Sequence, residues 1–83
     1  MIQIIRSSKQ LGTIIQRARK QRGMTQSELA NLSGMRQATI SEIERGHDTV
    51  TFASIFKLFS VLDLDLLTDQ RSRNSGQTIT DIF

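Results

Sequence analysis

A chain of 83 residues has room for one small domain and excludes two separate cores. It contains no cysteine, which excludes disulfides, thiolate metal sites and thiol nucleophiles. The net charge of +3 is modest but uneven: residues 1–24 carry six bases and no acid, while residues 25–83 carry five bases and eight acids. A basic third over an acidic remainder suggests a polyanion on one side, although a solvated helix face would carry the same charges.

No apolar run approaches the ~20 residues of a bilayer span. Met1–Ile5 lacks the charged and apolar regions of a signal peptide, so a cytoplasmic protein with no membrane partner is expected. The chain opens on Ile2-Gln3-Ile4-Ile5-Arg6, a short strand candidate. Ser7 and Ser8 then offer a helix cap, with Gln10 three residues after Ser7 as a weak capping box. Leu11, Ile14, Ile15 and Ala18 recur at helical spacing, and Gly23 stops the pattern, which predicts a first helix over 8–22.

Thr25-Gln26-Ser27-Glu28 is a stronger capping box and starts a second helix that ends at Gly34. A third is predicted from Gln37 to Arg45, with Ile40 and Ile43 on its inner side and Gly46 after it. Thr49 or Thr51 caps a fourth over 52–62. There the spacing assigns Phe52, Ile55, Phe56, Phe59 and Leu62 to the core face. Leu58 and Val61 fall on the opposite side and are expected at a dimer interface. Leu62-Asp63-Leu64-Asp65-Leu66-Leu67 alternates with period two, so Leu62–Thr68 is expected to form a strand. It would pair with residues 2–6 or with a second subunit, bringing Leu64 and Leu66 into the dimer contact. The predicted architecture is mainly α, four to five helices with a short terminal β element. Residues 1–69 are expected to form one domain, and residues 70–83 a flexible tail.

Two short helices joined at a glycine form a candidate helix-turn-helix. Numbered from Gln26, the fifth residue, Ala30, is small where the helices cross. The ninth, Gly34, permits a left-handed turn. The fourth, tenth, fifteenth and eighteenth, Leu29, Met35, Ile40 and Ile43, are apolar and fix the crossing angle. Each constraint alone is weak, but all six are met without a gap.

The run TQSELANLSGMRQATISEIERG resembles the helix-turn-helix of the lambda repressor and Cro family, also called the xenobiotic-response-element family. With the phenylalanine-rich helix and LDLDL that follow, it is similar in particular to HipB-type antitoxins. The resemblance covers roughly residues 8–68; the tail matches no pattern, and Arg36 stands where the family often has serine or threonine. It implies a lambda-repressor-like fold and a homodimer on a palindromic operator in double-stranded DNA. It also implies a HipA-like kinase toxin as partner, held inactive by an antitoxin that represses its own operon.

By position, the resemblance places Gln26 on a backbone phosphate, where the start of a helix favours an anion. It places Gln37, Ala38 and Ser41 on base edges in the major groove. Glutamine can pair with adenine, alanine can pack on a thymine methyl, and serine can donate or accept. Arg36 could read guanine or hold a phosphate, and Glu42 is expected at the edge of the groove. Thr25, Arg17, Lys20 and Thr39 are further phosphate candidates, with a solvated face as the alternative. Arg19 and Glu44 interrupt apolar faces and match a family ion pair between the first and third helices, a structural role.

Catalysis is not expected. The single histidine, His47, stands beside Asp48 in a loop, and two residues make neither a triad nor a metal site. No cofactor or metal is implied. Two other functions fit the same residues: a stand-alone phage or restriction-modification regulator, and a protein-binding module whose helix-turn-helix is vestigial.

Overall fold

In a computed structural model, residues 2–71 are described. They form four helices: α1 (Ser8–Gln21), α2 (Gln26–Ser33), α3 (Gln37–Glu44) and α4 (Phe52–Val61). Each begin and end follows from local chemistry. The Ser7 hydroxyl accepts the Gln10 backbone N–H at 3.1 Å. Gln10 reaches back to the Arg6 N–H rather than to Ser7, so the box is offset by one residue. At α2 the box is complete: Thr25 Oγ1 accepts the Glu28 N–H, and Glu28 Oε1 accepts the Thr25 N–H, both at 3.0 Å. The bond from the Thr25 N–H, with a smaller contribution from the Thr25 side chain, holds the Glu28 carboxyl below the usual glutamate range. Of the two threonines offered for α4, Thr51 is the cap.

α1 packs on α3, α3 on α2 and α2 on α4. Ile15, Leu29, Ala30, Ile40, Ile43, Ile55, Leu58, Phe59 and Leu62 form one core, with Met35 and Val61 packed against it. The helix-turn-helix residues thus take their expected places. Gly34 adopts φ 70°, where any Cβ is strained, and α3 starts three residues later.

α4 corrects one sequence expectation. Leu58 is fully buried and Val61 half-buried, whereas Phe52 is 75% exposed and Phe56 54% exposed. The two rings stack on the surface, with centroids 6.3 Å apart. Ile55, Leu58, Phe59 and Leu62 have the same i, i+3, i+4, i+7 spacing as the stripe from Phe52. The inward face is therefore turned by about 50° from the expected one. Leu58 fills the core and is not available to a second subunit.

The expected strand is absent among the described residues. Asp63 takes φ 58° and closes α4 instead of extending it. Residues 2–6 and 64–67 do not pair; they border a groove of about 340 Å³, with Ile14 and Phe59 also in its wall. A ladder needs a partner at hydrogen-bonding distance, and within the chain neither segment supplies one to the other. The tail expected over 70–83 lies outside the described residues from 72 onward. No helix among the described residues is long and apolar enough to cross a membrane.

Candidate nucleic-acid interface

α3 is two turns long and offers one free face. At about 100° per residue, Ile40, Ile43 and Glu44 fall on one arc, and all three are buried. Gln37, Ser41, Arg45, Ala38 and Glu42 follow in angular order on the opposite arc. Four of these are exposed and Ser41 is half-buried. The residues expected to face bases are thus brought together on a single ridge. Arg36 is the N-cap of α3, exposed, with no side-chain bond to the helix start. Thr39 lies off this ridge and is half-buried.

Arg45 is a residue that sequence reasoning missed. It ends the ridge at the C-cap of α3, exposed and with no acidic partner among the described residues. Its spacing of four from Ser41 was the available signal. Glu42 faces His47, with Oε2 3.9 Å from Nδ1, both about half-exposed. Its acid charge is therefore turned toward the end of the ridge.

The start of α2 supplies the second part of the interface. The box engages the N–H groups of Thr25 and Glu28, leaving those of Gln26 and Ser27 open. The helix dipole favours an anion there. On α1, Arg17 and Lys20 are exposed and border a shallow groove with Thr13, Gln16 and Gln21. Arg17 makes a long 3.4 Å bond to Gln3 Oε1, which leans it toward the N-terminal segment.

Behind this surface lies the ion pair. Arg19 Nε donates to Glu44 Oε2 at 2.6 Å and Nη2 to Oε1 at 3.0 Å. The bidentate bond to Glu44 raises the Arg19 pKa further above its ordinary value. Nη1 donates to the Met24 carbonyl at 2.8 Å, and Gln26 Nε2 to Glu44 Oε1 at 3.0 Å. Gln26 is therefore not free in the way its phosphate assignment implied. Among the described residues no group of three His, Asp or Glu side chains gathers as metal ligands would.

A helix-turn-helix family model matches residues 15–68. Antitoxin HipB of Escherichia coli (strain K12) is 39% identical over 77 residues, which cover 92% of this chain and 88% of that protein. The chain belongs to the HipB antitoxins of the helix-turn-helix family. A second HipB, from Escherichia coli O6:H1, is 41% identical over 64 residues, covering 77% of this chain and 68% of that one. Solved HipB structures superpose closely. A HipA-HipB-O2-O3 complex matches with a TM-score of 0.78 and 38% identity, over 86% of this chain and all of the matched chain. A restriction-modification controller protein of Aeromonas hydrophila matches less fully, with a TM-score of 0.66 and 31% identity, over 70% and 84%.

Proposed function

We propose that this HipB-family protein is a sequence-specific repressor that binds a palindromic operator as a homodimer. The observation that carries the reading is the α3 ridge, where exposed Gln37 and Ala38 and half-buried Ser41 are the uncommitted polar and small side chains that base edges require. Arg36 and Arg45 flank the ridge as cations for phosphate or guanine. The open N–H groups of α2, with Gln26, meet the backbone, and Thr25, Lys20, Arg17 and Thr39 supply further phosphate contacts. Arg19 and Glu44 hold the frame. Operator binding places the protein in the cytoplasm, where bacterial DNA is.

Residues 1–69 serve for DNA binding and dimerisation. With Leu58 buried, the two-fold contact is drawn to the apolar side chains that remain exposed. Phe56 and Leu66 border one groove, and Leu66, Leu67 and Ile2 border the next. These apolar side chains beside α4, interleaved with Ser60, Asp63 and Asp65, suit a second copy, and Leu64 lines both grooves while Val61 packs against the core behind them. A two-fold there would set two α3 ridges about 34 Å apart, one turn of DNA.

The antitoxin role extends this to a HipA-like kinase toxin, following the likeness to the chain in the HipA-HipB-O2-O3 complex over its full length. The test is co-expression with the product of the neighbouring gene. A kinase-like neighbour should co-purify with this chain after DNase treatment. A DNA-binding protein that captures no neighbour would instead be a stand-alone regulator, the reading favoured by the likeness to the controller protein.

A further inference from the structure

Gln26 opens α2 with its side chain half-buried against the end of α3. Its Nε2 shares Glu44 Oε1 with Arg19 Nη2. An ionised carboxylate can only accept, so it selects the nitrogen end of the carboxamide and fixes which way the amide lies. An unrestrained glutamine would present its oxygen to a phosphate as readily as its nitrogen. The Nε2 group carries two protons, and only one is directed at Glu44. Arg19 neutralises the carboxylate, so the cluster does not repel an approaching anion.

We propose that Glu44, although buried and 2% exposed at its side chain, is a positioning residue for DNA binding. It holds the Gln26 carboxamide so that the second Nε2 proton stands beside the open backbone N–H groups of Gln26 and Ser27. Together these form a preformed clamp for one DNA phosphate. Fixing the rotamer beforehand removes an ordering cost that binding would otherwise incur. Because a phosphate carries no base identity, the clamp acts on every sequence alike. The proposal rests on the reading of this face as the DNA interface.

The test joins nuclear magnetic resonance of the free, full chain to DNA titrations. In the wild type, the Gln26 side-chain amide protons should be shifted away from the positions of an unrestrained glutamine, one showing a contact to the Glu44 γ-protons. A pair at the unrestrained positions with no such contact would overturn the proposal. Gln26→Met removes the donor without stranding a buried charge. It should weaken binding to operator and random duplexes equally, by about tenfold for a lost charge-assisted bond. Glu44→Gln keeps the shape but replaces the acceptor-only carboxylate with a carboxamide that no longer selects the nitrogen end of Gln26, and should give the same uniform loss. Combining the two changes should add nothing to Gln26→Met alone. Wild-type affinity in a folded Glu44→Gln variant, or losses that multiply in the double variant, would contradict a positioning role. If Glu44→Gln does not fold, the wild-type spectrum and Gln26→Met decide. A wild type that binds no duplex would remove the DNA reading itself, and this proposal with it, whatever the spectrum shows.

Discussion

Gly12 shows how a single residue sets the position of the candidate recognition helix. It lies where α1 crosses α3, and a Cβ there would collide with the Ile43 carbonyl and approach the Glu44 carbonyl oxygen to 2.8 Å. Backbone cannot give way as a flexible side chain can. Gly12→Ala should therefore destabilise the fold by about 1–3 kcal/mol, the range for overpacking, measured by urea denaturation. An alanine at least as stable as glycine would show that the crossing is loose. Sequence alone gave no reason for this glycine, because inside a helix it reads only as a propensity cost of about 1 kcal/mol. Arg19 and Glu44 were legible, since both interrupt apolar faces and the family resemblance pairs them. The bond from Gln26 to that pair was not, because its exposed-looking place at a helix start gives no hint of the buried neighbour.

At the scale of elements, all four helices close in the same way. The N–H that follows the left-handed residue bonds back to the carbonyl five residues earlier: Met24 to Arg19, Met35 to Ala30, His47 to Glu42 and Leu64 to Phe59. Three closures use Gly23, Gly34 and Gly46 in the left-handed region, and the fourth uses Asp63. A non-glycine residue there costs about 1 kcal/mol. Asp63→Gly should raise stability by roughly that amount and increase the melting temperature. An unchanged or lower value would mean that the loose Arg22–Asp63 pair, at 3.9 Å, matters more than the backbone. The glycine closures were readable as punctuation in the sequence. The Asp63 closure was hidden inside an alternating LDLDLL run that looked like a strand. In α4, two overlapping stripes satisfied the same spacing. Choosing the one with more phenylalanine put Leu58 outside, whereas the packing partner α2 decides which arc turns inward.

For the whole molecule, the exposed aromatic pair and the exposed Ile2, Leu66 and Leu67 offer an apolar surface to a partner. Phe56→Ser with Leu66→Ser should shift the protein toward monomer in sedimentation at micromolar concentration and leave the helical content unchanged. A double variant as dimeric as the wild type would place the two-fold elsewhere. The helix-turn-helix was legible because its constraints are local and close in sequence. The assembly was not, because it depends on which apolar side chains the core leaves uncovered.

The proposed repressor role turns on whether the α3 ridge reads base sequence. Its most direct test compares wild type and Gln37→Ala on the chain's own upstream DNA and on a shuffled duplex of equal length, at one salt concentration. Operator binding should fall by about 1–3 kcal/mol, the preference at one base pair per half-site should relax, and binding to the shuffled duplex should stay unchanged. Equal loss on both duplexes would reduce Gln37 to a backbone contact and contradict the assignment of α3 as the recognition helix.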